Sequence, residues 1–184
     1  MTDDPKRAIP TDAALRALAE RCIVRGTDQS LTIATAESCT GGLVAHMLTE
    51  IPGASTVFQG GWVVYSNQRK ITDMGVDAAL LQEAGAVSRP VVERMAAAAR
   101  DEANTTFGIA TSGIAGPTGG SEDKPIGLVW LGLAGPGWVY AEGYRDDLDG
   151  VDRSAHKRAF ACRILEMLAA AIEAHPERPE LPLG

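Results

Sequence analysis

Residues 31–42 read LTIATAESCTGG, and this stretch decides the fold. Its first half, 31–36, is short and rich in Thr and Ile, the composition of a strand. It runs without a spacer into Glu37-Ser38-Cys39-Thr40-Gly41-Gly42. Beyond the two glycines, Leu43, Val44, Met47, Leu48 and Ile51 recur at helical spacing and stop before Pro52-Gly53. A strand that turns directly into a helix is the unit of an α/β fold. In such folds the carboxyl end of the strand is where ligands are held.

The same alternation continues on both sides. Upstream, Thr11 or Asp12 can cap a helix carrying Leu15, Leu18, Ala19, Cys22 and Ile23, with Gly26 as its stop. Downstream, 57–65 (VFQGGWVVY) reads as a second strand, and Gly60-Gly61 marks a bulge or a close backbone approach. Short helices are predicted over 67–74 and 77–84. Ser88 is placed to cap the next helix, with Pro90 in its first turn and Val91, Val92, Met95, Ala98 and Ala99 as its apolar stripe. A third strand covers 106–111 and opens into a glycine-rich stretch, 112–121. Strands over 126–134 and 138–144 are joined as a hairpin at 135–137. A last helix carries Phe160, Ile164, Met167, Leu168, Ala171 and Ile172. The expected architecture is a single α/β domain over residues 11–174, a mixed sheet with an antiparallel edge, flanked by helices on both faces as an α/β/α sandwich. Residues 1–10 read as a flexible polar lead and 175–184, with three prolines, as a frayed tail.

Composition narrows the function. At 184 residues, with 45% hydrophobic and 22% charged, the chain is neither disordered nor fibrous. With 17 basic and 24 acidic residues its formal charge is −7, which argues against nucleic acid as a partner but leaves room for a local site for a small anion. Cys22, Cys39 and Cys162 are odd in number and form no CxxC pair, which suits a reduced, cytoplasmic compartment. The polar start shows no signal peptide, and no segment approaches a membrane span.

Three segments carry possible chemistry. In the first, Ser38 stands between a strand end and a helix start, where its hydroxyl can attack a carbonyl while free amides hold the oxyanion; the alternative is a plain helix cap. Cys39 is a rival nucleophile, but a thiol wants a histidine partner. His46 lies about two turns further along the same helix, so a small buried cysteine fits better. The second segment is YSNQRK, 65–70. A desolvated Lys70 becomes a usable base, and Tyr65 can relay a proton or fix the serine hydroxyl; the alternative is a solvated Arg69-Lys70 pair. With no Ser-His-Asp set apparent, Ser-Lys or Ser-Tyr-Lys remains the route to an activated serine. The third is SGIAGPTGGSEDKPIG, 112–127, whose glycines let backbone amides approach an anion and whose Lys124 adds charge. It is neither a Walker A loop nor a GxGxxG turn. Asp146, Asp147, Asp149 and Asp152 do not keep calcium-loop register and read as a solvated acidic surface.

Taken together and in this order, TAESCTGG (35–42), YSNQRK (65–70), GAVS (85–88) and the glycine loop (112–127) resemble the CinA C-terminal domain family, over about residues 12–172. That family includes bacterial nicotinamide mononucleotide deamidases. The resemblance implies hydrolysis of the carboxamide of nicotinamide mononucleotide to nicotinate mononucleotide and ammonia, a step of pyridine-nucleotide salvage, with no cofactor and no metal. It implies Ser38 as nucleophile with Tyr65 and Lys70 as its activating partners. It implies substrate contacts from Glu37, Cys39, Thr40, Gly41 and Gly42, from Ser112, Gly113, Gly116, Gly119, Gly120 and Lys124, and from Arg153. Many relatives carry an N-terminal domain resembling molybdopterin-binding proteins; this length leaves no room for it, so a stand-alone form is expected, as a homo-oligomer. One departure stands out. Where many relatives have Gly-Asp-Arg and then a further basic residue before the last helix, this chain reads YRDDLDGVDRSAHKR over 144–158; Asp152-Arg153 corresponds if one residue is inserted after Gly150, and if the family's arginine holds the phosphate, Arg145 or Arg153 takes its place. Two other readings stay open beside the deamidase: a nucleotide-binding module without hydrolase activity, and an amidase on another small amide.

Overall fold

In the computed structural model, which describes residues 8–148 and 150–177, five strands form one sheet. They are β1 (Ile33–Glu37), β2 (Phe58–Val63), β3 (Phe107–Gly113), β4 (Leu128–Gly135) and β5 (Trp138–Arg145), in the order β2-β1-β3-β4-β5. β1 runs parallel to both β2 and β3, whereas β3-β4 and β4-β5 are antiparallel. The mixed sheet with an antiparallel edge is therefore as the sequence predicts. Every residue of β1 is buried, as expected of a central strand covered on both faces.

Six helices supply the cover: α1 (Asp12–Asp28), α2 (Leu43–Thr49), α3 (Asn67–Met74), α4 (Ala78–Ala84), α5 (Arg89–Ala103) and α6 (Arg153–Ala174). The period-2 alternation of the strands sorts large from small side chains. Ile33, Phe107, Ile109, Leu131 and Leu133 face α1, α2 and α6, where each buried Leu or Ile is worth about 1.5–3 kcal/mol. Ala34, Ala36, Ala110 and Ala134 face α5 with Val91, Val92, Met95 and Ala99. The small face lets the helix backbone ride against the sheet. A Cβ added at Gly132 would lie only 2.5 Å from the Val92 carbonyl oxygen, so no side chain fits there.

Local departures have physical causes. α1 continues through Gly26 to Asp28 and does not stop there; Gly26 serves packing, since a Cβ would lie 2.8 Å from Val57 Cγ1. Gly60-Gly61 is both a bulge and a close approach. The register shifts between Ile33 and Ala34 opposite β2, and a Cβ on Gly61 would collide with Thr35 Oγ1. Ser88 occupies the N-cap position of α5 but turns its hydroxyl backward to donate to the Gly85 carbonyl, 2.7 Å away. The acidic run is not a uniform solvated surface. Asp146 is buried with Oδ2 2.6 Å from His156 Nδ1, and Asp152 caps α6 through Ala155 N. Asp147 is exposed and lies 3.5 Å from Arg145 Nε. Asp149, most of the polar lead (1–7) and most of the tail (178–184) lie outside the described residues.

Candidate active site

The parallel half of the sheet brings all three segments to one rim. Val63, Glu37 and Thr111 share a register row at the carboxyl ends of β2, β1 and β3. One step beyond that row lie Val64-Tyr65, Ser38 and Ser112. The Ser38 amide donates to the Thr111 carbonyl at 2.9 Å, which pins the nucleophile candidate across the β1-β3 seam.

Lys70 reaches this rim from α3. Ser66 caps that helix through Arg69 N, and the first turn points Lys70 back at the end of its own strand. Its Nζ lies 2.9 Å from Ser38 Oγ, 2.9 Å from Val64 O and 3.3 Å from Tyr65 O. Only 1% of Lys70 is exposed. Arg69 instead lies outside, paired with Asp73 at 2.7 Å, so the adjacent basic residues have opposite fates. Burial holds the Lys70 pKa below the ordinary lysine value. In the ammonium form all three hydrogens have acceptors. In the neutral amine the two carbonyls can keep two N–H groups, and the lone pair then faces the serine hydroxyl, ready to take its proton.

Ser38 is not a helix cap. α2 begins after Gly42, whose φ is 92° and which offers no side-chain cap. Glu37 closes that helix. Its carboxylate, 1% exposed, accepts from Gly42 N at 3.0 Å, Val44 N at 3.1 Å, Ala45 N at 2.8 Å and Thr40 Oγ1 at 2.7 Å. A carboxylate at a helix N-terminus is favourable twice over, through its hydrogen bonds and through the helix dipole. Replacing Glu37 by Ala strands three buried or half-buried amides. The expected cost is roughly 3 kcal/mol or more, from about 1–3 kcal/mol per unsatisfied group, read as a lowered denaturation midpoint at unchanged slope.

The cavity at this rim brings together part of the expected substrate shell. Its volume is about 320 Å³, and it is lined by Ser38, Cys39, Tyr65, Lys70, Ser112, Gly113, Gly116, Gly119 and Arg153. Glu37 and Thr40 are spent on the α2 start, with the Thr40 hydroxyl also 2.7 Å from Thr111 Oγ1. The Gly42 amide belongs to Glu37 and the Gly41 amide to the Ser38 carbonyl at 3.1 Å. Gly120 packs under Ile126. Lys124 turns away to donate to the Ala84 carbonyl at 2.9 Å, tying the glycine loop to the end of α4. Arg145 is not among the lining residues; of the two arginines considered, Arg153 is the one at the cavity. It donates to the Gly116 carbonyl and the Tyr65 hydroxyl, each at 2.8 Å. The hydroxyl of Tyr65, a residue 61% exposed, is thus engaged by Arg153.

Cys39 lines the cavity, yet burial pushes its thiol up to about 12, so it stays protonated near neutrality and is a poor nucleophile. Sequence reasoning missed Asn67, Ala86, Val87, Ile114, Ala115 and Thr118, which complete the lining. Each lies inside or directly beside the segments 65–70, 85–88 and 112–127, so position within the motif was the available signal. Among the described residues no group of three His, Cys, Asp or Glu is placed to hold a metal, and no helix is long and apolar enough to cross a membrane.

The chain is similar to known proteins in sequence and in fold. The sequence profile of the CinA C-terminal domain matches residues 15–172. A nicotinamide-nucleotide amidohydrolase PncC of Shigella flexneri is 44% identical over 158 residues, 84% of this chain and 94% of that protein. A CinA-like protein of Desulfosudis oleivorans is 48% identical over 137 residues, 74% of this chain but 33% of its own length; this chain thus spans about a third of such relatives. The crystal structure of the competence/damage inducible protein CihA from Agrobacterium tumefaciens superposes with a TM-score of 0.83 at 41% identity, covering 89% of this chain and 97% of that one. On fold, motifs and profile together, the chain belongs to the CinA C-terminal domain family.

Proposed function

We propose that this chain is an amidohydrolase that converts nicotinamide mononucleotide to nicotinate mononucleotide and ammonia through a serine nucleophile. The observation that carries the reading is the 2.9 Å contact between a desolvated Lys70 amine and the Ser38 hydroxyl at the floor of a cavity. The name of the Shigella flexneri relative supports the substrate.

The chemistry follows from the site. Neutral Lys70 takes the Ser38 proton as the oxygen attacks the carboxamide carbon. The amide of Cys39, next to the nucleophile, is the donor we assign to the oxyanion, because those of Gly41 and Gly42 are already committed. Collapse of the intermediate breaks the C–N bond, and the proton held on Lys70 leaves with ammonia. Water then adds to the acyl-serine, giving a proton to Lys70; Lys70 returns it to Ser38 Oγ as the ester C–O bond breaks, and the released acid ionises to the carboxylate. Tyr65 acts through Arg153, and Arg153 holds the phosphate end.

Ammonia release with nicotinamide mononucleotide, nicotinamide riboside and free nicotinamide tests this. The expected result is release from the mononucleotide, with far lower kcat/KM for the two that lack phosphate. A raised melting temperature without turnover overturns the hydrolase reading in favour of a nucleotide-binding module. Turnover of unrelated amides alone overturns the substrate.

A further inference from the structure

Positive charge is only partly neutralised among the described residues. Eight arginines (16, 21, 69, 89, 100, 145, 158 and 163) lie within 4.0 Å of a carboxylate oxygen. Other cations lack a carboxylate partner as well, Arg94 and Lys124 donating to backbone carbonyls; two more stand near the start of α6. Arg153 donates only to neutral oxygens, the Gly116 carbonyl and the Tyr65 hydroxyl. Lys157, half-buried, has no carboxylate partner among the described residues. It stands four residues after Arg153, so both project from one face of the helix. Its Nζ hangs over Gly41, where a Cβ would lie 3.6 Å from it. Gly41 closes the turn that begins at Ser38. Lys157 thus comes to the Ser38 turn from one side while Arg153 spans the cavity wall from Gly116 to Tyr65.

Two partly desolvated cations held without counter-ions cost stability in the free protein, and an arriving anion relieves that cost. A phosphomonoester carries about −1.5 to −2 charges at neutral pH, which matches two cations better than one. Resting on the proposed function, we propose that Lys157 is a second phosphate-binding residue. With Arg153 it forms a two-cation seat that selects a dianionic terminal phosphomonoester.

The test compares wild type with Lys157→Met and Lys157→Arg. For nicotinamide mononucleotide, Lys157→Met should raise KM about tenfold or more at nearly unchanged kcat, and Lys157→Arg should restore most of it. Nicotinamide riboside, lacking the phosphate, should show the same kcat/KM in all three. Inorganic phosphate supplies a readout that needs no turnover. It should raise the melting temperature of wild type and of Lys157→Arg but much less that of Lys157→Met, whose own melting temperature without phosphate should be no lower than that of wild type. If the chain proves not to be a hydrolase, this phosphate shift still decides the role of Lys157. An equal phosphate shift in wild type and Lys157→Met, or an equal loss with mononucleotide and riboside, overturns the proposal.

Discussion

Ser38→Ala is expected to cut ammonia release from nicotinamide mononucleotide by roughly a thousand-fold or more, the scale on which removal of a covalent nucleophile acts. The alternative for this serine was a helix cap, and the structure leaves that role to Glu37. The substitution therefore removes one hydroxyl that accepts a hydrogen bond from the Lys70 amine, and the melting temperature should fall by only a few degrees. Binding of the mononucleotide should persist, because Arg153 and the glycine-loop wall are untouched. Steady-state ammonia release measured beside a thermal melt checks both halves. Substantial activity in a folded Ser38→Ala protein would remove serine from the mechanism and reopen attack by water.

Lys70→Met is the second large effect. A positioned base contributes about a hundred- to ten-thousand-fold, and Met keeps the length of the side chain while deleting the amine. The pH profile gives the sharper readout. Burial lowers the Lys70 pKa in the folded state, so the neutral amine, the reactive form, accumulates as pH rises through that lowered value. In wild type, kcat/KM should rise with pH along one ionisation lying below the ordinary lysine range. In Lys70→Met that rise should vanish together with the rate. Lys70→Arg should not rescue, since a guanidinium does not give up its proton. Stability has the same sign. Between the folded and the unfolded pKa the unfolded chain binds more protons at Lys70, so this residue's contribution to stability is present above the unfolded value. It is lost as pH falls through the folded value. A pH profile of Lys70→Met that keeps the wild-type ionisation would refute the assignment of the base.

Much of the site was legible because it is written in contiguous segments. Residues 31–42 announce a strand that turns into a helix, and the two other segments follow strand ends, so parallel pairing alone brings them to one rim. What stayed illegible depends on who partners whom. Glu37 sits beside the nucleophile in sequence and invites a substrate role, but its partners are amides five to eight residues ahead, visible only once α2 forms. Lys124 belongs to the glycine loop and yet spends its charge on the Ala84 carbonyl. Asp146 looks like one of several surface acids; its burial follows from a histidine ten residues later, on a helix whose start the sequence left open. Burial of Lys70 beside an exposed Arg69 likewise depends on where α3 sets down against the sheet. Pattern reading finds elements and rims, whereas the ownership of each charge is settled by tertiary contact.

β2 pairs with β1 on one side only and stands at the border of the sheet. It is also the strand whose end leads to Lys70, and the Lys70 amine hangs on the carbonyls of Val64 and Tyr65 just beyond it. Ser38, by contrast, is moored to the centre of the sheet through Thr111. Ser38 and Lys70 therefore ride on a central and a border strand, and border strands are expected to open more readily. Brief opening at that border separates amine from hydroxyl while the rest of the molecule stays folded. If the proposed mechanism holds, activity should therefore be lost on heating below the temperature at which the whole domain melts.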